Sequence, residues 1–453
     1  MAIFPENPRS FLDALYVNLL QRGVQYFLPS VRLEPLGPSE SHSHLIQYEN
    51  GPDGLAIVEW LGVRHALIRE GRKLTDDERK LLKSVGRVLS ARYRFLFDRA
   101  LASQALDLFR GVPEDRYVSA FLDPFPYADV ETRLNTPDRV ADAIEVLRIS
   151  ALTTYENRRI VTGALIFGSQ PDPCHIQPPR PAAALPYAAP LTFIRSFHRL
   201  CDGLQTVALV NQEGLLVQLV DVHQWAEGFV GFDLPVPTTG RYDAHCRATL
   251  CGGHTCLVLT PNGEIKVFAQ GVQVFNFIDG RWRLTDAVEK YRQWEEAIGP
   301  GMLAERLYSV ALNLAEERRG GLFVVLDNPD DAERLLAPGD LLSNEISRTT
   351  VSLGGSKDQL HYLLRDHSVA DLPATVIESI ARIDGGIVLD REFRLLAFGA
   401  ILRLGAMAEQ AQELPEGGRT TAAIGASRYG CVLKVSEDGM ISFYRGGLCV
   451  WER

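Results

Sequence analysis

Seven prolines fall between Gln170 and Pro190: Pro171, Pro173, Pro178, Pro179, Pro181, Pro186 and Pro190. Each fixes φ and removes a backbone N–H, so neither a helix nor a central strand can run through this stretch. It reads as an extended linker or a loop lying on a surface. The expected organisation follows from it: an N-terminal α/β region over 1–168, a linker over 169–194 and a second domain over 195–453. A chain of 453 residues has room for two or three domains, each with its own core.

In the first region, Thr75-Asp76-Asp77-Glu78 has the spacing of a capping box, with Thr75 at the N-cap and Glu78 three residues on. Leu82, Val85, Leu89, Tyr93 and Leu96 then recur at the three- and four-residue steps of one helical face. The same helix carries Arg79, Lys80, Lys83, Arg87, Arg92, Arg94 and Arg99. Such a row suits a nucleic-acid or acidic-partner surface, but a solvated helix face has the same pattern and is the commoner case. Ala151 to Thr154 and Ile160 to Phe167 suggest strands around the turn at Glu156 to Arg159.

Net charge decides what the whole chain can meet. Lys and Arg number 47 against 57 Asp and Glu, giving −10. General nucleic-acid binding is excluded by that balance, although a local basic patch is not. Hydrophobic residues at 46% and charged residues at 23% exclude a disordered or fibrous chain. No apolar run approaches a membrane span, and the first residues lack a signal-peptide layout, so no membrane partner and a cytoplasmic location are expected. Seven cysteines, an odd number, fit reduced thiols. His245, Cys246, Cys251, His254 and Cys256 place soft ligands close together. They border the strand at Leu257 to Leu259, where alternate residues face opposite ways, so structural zinc is not expected.

After the prolines the pattern is strand-rich. Val207 to Val210 with Leu215 to Val220, and Leu257 to Leu259 with Ile265 to Phe268, read as hairpins. Val272 to Phe277 adds a strand, and a helix is expected from about Asp286 to Ile298. Leu303, Leu307, Val310, Ala311 and Leu314 mark an amphipathic helix that Gly320-Gly321 ends. Strands follow at Leu322 to Leu326, Ile387 to Leu389 and Leu395 to Leu402. A short helix is expected over Thr420 to Tyr429, then a hairpin of Val432 to Val435 with Ile441 to Tyr444. Helices alternating with short apolar strands define an α/β class with a mixed sheet.

Two constellations in this last part carry chemistry. Asp384-Gly385-Gly386 runs into a strand; two residues without Cβ let a ligand approach the backbone, and the carboxylate can hold a metal or take a proton from a hydroxyl. Glu416-Gly417-Gly418-Arg419-Thr420-Thr421 opens a helix, where free N–H groups and the positive dipole end favour phosphate and Arg419 can clamp it. Each alone is also an ordinary turn or N-cap. Gly354-Gly355-Ser356-Lys357 lacks the full phosphate-loop spacing and reads as a flexible loop. His361 and His367 show no spacing with a nucleophile.

Taken together and in order, these segments resemble the diadenylate cyclase (DAC) family, the nucleotide-binding domain of the DNA-integrity scanning proteins and their membrane-anchored relatives. The family's Arg-x-Gly-Ala-Leu-x-x-x-x-Glu is similar to Arg318-Arg319-Gly320-Gly321-Leu322 through Asp327. Its Asp-Gly-Ala corresponds to Asp384-Gly385-Gly386, its Gly-Thr-Arg-His-Arg-Ala-Ala-x-Gly-x-Ser to Gly417 through Ser427, and its Val-Ser-Glu-Glu to Val435-Ser436-Glu437-Asp438. The resemblance covers roughly 300–453.

Family members join two ATP molecules into cyclic di-AMP with a divalent metal, across a face shared by two protomers. The resemblance implies a DAC-like α/β fold with helices on a mixed sheet and a homo-oligomer. Asp384 would be the catalytic residue and a ligand, with Glu437, for Mg²⁺ or Mn²⁺. Gly385, Gly386, Gly417, Gly418, Arg419, Thr420 and Thr421 would bind the nucleotide. The family's His and second Arg are Thr420 and Thr421 here, which supply no charge. Losing two charge-assisted contacts costs on the order of 1.5–3 kcal/mol each, enough to remove several decades of rate if they tighten in the transition state. The expectation is a nucleotide or cyclic-dinucleotide sensor with catalysis weakened or lost, relaying to an effector protein through the N-terminal region. A working divergent cyclase and a ligand-free dimerisation scaffold are the alternatives.

Overall fold

The structure, a computed structural model, describes residues 8–39, 43–51, 56–69, 73–97, 106–128, 136–168, 184–342, 364, 367–403 and 417–453. It is mixed α/β and forms two compact units: Met1–Leu234 with Ala244–Asp286, and Pro235–Asp243 with Ala287–Arg453. Among the described residues, no helix is long and apolar enough to cross a membrane.

The first unit holds two sheets. Helix α1 (Pro8–Phe27) is followed by β1 (Val31–Pro38), β2 (Gln47–Asn50), β3 (Ala56–Trp60) and β4 (Val63–Arg69), an antiparallel sheet in the order β1-β4-β3-β2. Helix α2 (Asp76–Phe97) begins with the expected capping box: Glu78 N–H donates to Thr75 Oγ1 at 3.2 Å, and Thr75 N–H to Glu78 Oε2 at 2.9 Å. Its Leu82, Val85, Leu89 and Tyr93 join Tyr16 and Leu20 of α1 and Trp60 of β3 in one core, whereas Leu96 is exposed. Arg92 leaves the expected basic row altogether; it is buried and donates from Nε to Leu108 O at 2.8 Å. Helices α3 (Pro113–Leu122) and α4 (Arg139–Leu152) are tied by a buried Asp138, which caps α4 and accepts from Arg116 at 2.6 Å and Ser119 at 2.5 Å. The strand expected at Ala151 to Thr154 is therefore the end of a helix, and only the two-residue ladder of β5 (Thr154–Tyr155) and β6 (Arg158–Arg159) surrounds the turn.

The second sheet overturns the expected boundary at 169–194. It comprises β7 (Thr162–Ile166), β8 (Thr206–Val210), β9 (Leu216–Asp221), β10 (Thr255–Leu259), β11 (Ile265–Ala269), β12 (Val272–Ile278) and β13 (Arg281–Leu284), in the order β13-β12-β11-β10-β7-β8-β9. Strand β7, before the prolines, is central: it pairs in parallel with β8 and antiparallel with β10, both after them. Prolines exclude a strand through their own stretch but say nothing about pairing across it. Residues 169–183 of that stretch lie outside the described residues. The part that follows is tied down rather than free, with Leu216 N–H donating to Leu185 O at 2.8 Å, Tyr187 N–H to Gly214 O at 2.9 Å and the Tyr187 ring buried. The main division falls instead between Asp286 and Ala287, with Pro235–Asp243 also belonging to the second unit.

The second unit is a three-layer sandwich. Helices α5 (Ala287–Ile298), α6 (Met302–Glu316) and α7 (Ala374–Ala381) lie on one face of a six-stranded sheet; α8 (Gly418–Ala426) and a turn of helix at Ala332–Leu335 lie on the other. The strands are β14 (Gly321–Leu326), β15 (Gly386–Asp390), β16 (Leu395–Ala400), β17 (Gly430–Val435), β18 (Ile441–Arg445) and β19 (Leu448–Glu452), in the order β16-β15-β14-β17-β18-β19. Only β14 and β15 run parallel. Along β14 the side chains alternate: Phe323 and Val325 enter the core under α6, Leu322, Val324 and Leu326 the core under α8.

Gly320-Gly321 does not end α6. The left-handed position after that helix is Arg318, at φ 54°, and Arg319 N–H closes back to Leu314 O at 2.8 Å.

Candidate functional site

The sequence-selected residues gather at the end of the sheet where β14 and β15 begin. The parallel register pairs Phe323 with Ile387, and Gly386 lies beside Leu322, so Asp384-Gly385 and Gly320 stand at the same end of the two strands. β17 runs antiparallel to β14, so its last residues, Lys434 and Val435, and the Ser436-Glu437 turn arrive at the same end. Helix α8 starts there too, with Gly417 at its N-cap.

Arg419, in the first turn of α8, lies across Gly320. A Cβ on Gly320 would fall 2.1 Å from Arg419 Nη1 and 2.6 Å from its Cζ, so a larger residue there would displace the guanidinium from its place over the sheet end. Arg419 Nη1 also donates to Glu437 Oε1 at 3.0 Å, an exposed pair. The residue expected to hold metal with Asp384 is thus the partner of Arg419. Asp384 itself is exposed and has no hydrogen bond or ion pair among the described residues.

The glycines divide into two kinds. Gly385 is demanded by the fold: φ is +116°, and a Cβ would meet Gly399 C at 2.5 Å and Ala400 N and O at 2.7 Å. Its lack of a side chain serves the β15–β16 crossing, not a ligand. Gly386 opens β15 and is buried, with Leu322 as its neighbour. Gly417 and Gly418 are exposed, and among the described residues a Cβ on either would touch nothing within 4 Å. Glu416, Gly354 to Lys357 and His361 lie outside the described residues.

Thr420 and Thr421 occupy the next two positions. Thr421 is half-buried. Thr420 is buried, and its Oγ1 accepts from Lys434 Nζ at 2.8 Å. Lys434, also buried, lies 5.8 Å from the Tyr444 ring centroid and has no carboxylate within ion-pair distance among the described residues. A buried ammonium wants an anion or several acceptors, and this one has one hydroxyl and an aromatic face. Sequence reasoning missed both Lys434 and the role of Gly320. The signal for Lys434 is a lysine inside the otherwise apolar run Cys431 to Val435, in a chain holding only seven lysines. Gly320 carries no such signal, because its reason is a side chain far away in sequence.

The His/Cys cluster has structural partners. His245 Nε2 meets Gly203 O at 2.8 Å, and His254 Nδ1 accepts from Gly168 N–H at 3.0 Å. Burial pushes the Cys256 thiol far up, so it resists forming the thiolate a metal needs. No group of three or more His, Cys, Asp or Glu suited to a metal ion occurs among the described residues.

No protein-family profile and no curated protein matches the chain. Among solved structures, the chain is similar to a hypothetical membrane spanning protein from Bacillus cereus, with 22% identity over 35% of this chain and 69% of that one, at a TM-score of 0.26. It is also similar to a double mutant of DacA from Staphylococcus aureus, with 17% identity over 35% of this chain and 87% of that one, at a TM-score of 0.20.

Proposed function

We propose that the second unit binds a nucleotide or cyclic dinucleotide by its phosphates, as the ligand-binding part of a sensor whose catalysis is weakened or lost. The observation that carries this reading is that Arg419, lying over Gly320, and the first turn of α8 stand at the same end of the sheet where β15 begins just after Asp384. The resemblance of the sequence motifs to diadenylate cyclases suggests the ligand class.

In this reading the N–H groups of Gly418 and Arg419, at the start of α8, and the Arg419 guanidinium take phosphate oxygens. Lys434 stands behind Thr420 and supplies positive potential where the cyclases carry His and Arg. An unpaired, exposed carboxylate fits Mg²⁺ or Mn²⁺, hard cations that keep several waters and are completed by substrate phosphates; Asp384 would hold such an ion, and the ion would neutralise phosphate charge. Glu437, tied to Arg419, is the weaker candidate ligand. A homo-oligomer, an effector reached through the first unit and a cytoplasmic setting belong to the same proposal.

Titration calorimetry with ATP, cyclic di-AMP and other cyclic dinucleotides tests it. Wild type should bind at least one of them and Arg419→Ala should bind it about tenfold more weakly, the loss of one charge-assisted contact. No heat from any ligand with either protein removes the reading. The alternative, a working cyclase, predicts a dinucleotide product from ATP and Mg²⁺ by mass spectrometry that vanishes in Asp384→Asn.

A further inference from the structure

The first unit contains a groove that the proposed nucleotide site does not explain. It runs between α2 and the edge strand β2 as two adjoining hollows of about 560 and 380 Å³. Tyr48, Lys83 and Arg87 line both and so mark the waist. Five cations border the groove, Arg79, Lys80, Lys83, Arg87 and Arg94, against the carboxylates of Glu49 and Asp76.

Those cations are not equivalent. Lys80 is turned onto the Phe121 ring, 4.1 Å from its centroid, and Arg79 pairs with Asp76 at 3.2 Å. Lys83 and Arg87 are exposed and have no hydrogen bond or ion pair among the described residues. They stand four residues apart on one helix face, a rise of about 6 Å. Two free cations one turn apart can meet successive phosphates of an extended strand.

Beside them stands a fixed, half-buried aromatic ring that lines both hollows. Tyr48 donates from its hydroxyl to Leu82 O at 2.5 Å and lies over Gly86, where a Cβ would fall 2.3 Å from that hydroxyl. A glycine in mid-helix weakens α2 by about 1 kcal/mol relative to alanine, and here it admits the ring. Leu45 and Ile46, just before strand β2, extend an apolar wall. Cations that track a backbone, interleaved with an aromatic platform for bases, are how sequence-neutral single-strand binders work. A concave groove between a helix and a strand admits one thin chain, not a duplex.

We propose that this groove binds single-stranded nucleic acid, with Lys83 and Arg87 on successive phosphates and Tyr48 beneath a base. The chain's net charge of −10 opposes general nucleic-acid binding, so the site acts locally and its affinity falls steeply with salt.

Fluorescence anisotropy of a labelled twelve-nucleotide oligo(dT) with the full chain tests this, alongside a duplex of equal length and a poly-glutamate peptide. With two phosphates neutralised, affinity should fall about sevenfold between 50 and 200 mM salt; in Lys83→Gln with Arg87→Gln that salt dependence should be almost lost. Both residues are exposed, so unchanged thermal unfolding should accompany the loss. Arg158→Gln with Arg281→Gln, exposed arginines outside the groove, should leave binding as in wild type. Absence of binding at low salt overturns the proposal. So does equal or tighter binding of the duplex or the peptide, or an equal loss in the Arg158/Arg281 variant.

Discussion

Lys434 Nζ donates to Thr420 Oγ1 at 2.8 Å, joining the last buried turn of β17 to the first turn of α8. A cation held there, without a carboxylate, is poorly explained by stability alone. Replacing a buried charge by an apolar side chain of similar length is often neutral or stabilising. Lys434→Met should therefore leave thermal unfolding unchanged or raise ΔG by up to about 1 kcal/mol, while nucleotide affinity falls about tenfold. Denaturant titration and calorimetry on the same variant separate the two. A parallel loss of stability and binding would make Lys434 a structural residue.

Glu437 competes with any phosphate for Arg419. The pair is exposed, so removing it should alter stability by less than about 1 kcal/mol. Glu437→Gln frees the guanidinium and removes a negative charge from the mouth of the site. The affinity for ATP should rise about three- to tenfold, corresponding to about 0.7–1.4 kcal/mol. Weaker binding in this variant would place Glu437 on the metal instead.

Gly385 and Gly386 are adjacent and should behave differently. Gly385→Ala forces a Cβ against the Gly399–Ala400 backbone at a φ of +116° and should cost about 2–4 kcal/mol in denaturant unfolding. Gly386→Ala meets Leu322 Cδ2 at 3.4 Å and should cost less than about 1 kcal/mol.

These glycines also mark what was legible in the sequence. Periodicity and turn chemistry located the Thr75 capping box, the hairpins β8–β9, β10–β11 and β17–β18, and α5 and α6 to within a few residues, because each is decided by neighbours in sequence. The pairing of β7 with β8 and β10 was not legible, since nothing local records which strands meet across a proline-rich stretch. The motifs placed Asp384 and Arg419 at one sheet end only through a resemblance. Gly320 under Arg419 and Lys434 under Thr420 required the fold itself.

The turn between β17 and β18 should respond to acid. Ser436 Oγ donates to Asp438, and the Met440 N–H joins it at 3.1 Å; together they hold the Asp438 carboxyl below the ordinary carboxylate range. A depressed folded-state pKa contributes stability that is present above the unfolded value and lost as pH falls through the folded one. By NMR titration Asp438 should stay ionised below the midpoint of ordinary aspartates, and Ser436→Ala should move its midpoint upward. An unmoved midpoint would leave the hydroxyl without a role.

The most direct test of the nucleotide-binding account is a crystal structure of the chain grown with a non-hydrolysable ATP analogue and Mg²⁺. The account predicts phosphate density between Asp384 and Arg419, against the backbone of Gly417 and Gly418, with the Arg419–Glu437 pair broken or stretched. Clear density for the analogue elsewhere, or an untouched Arg419–Glu437 pair at saturating analogue, would contradict it.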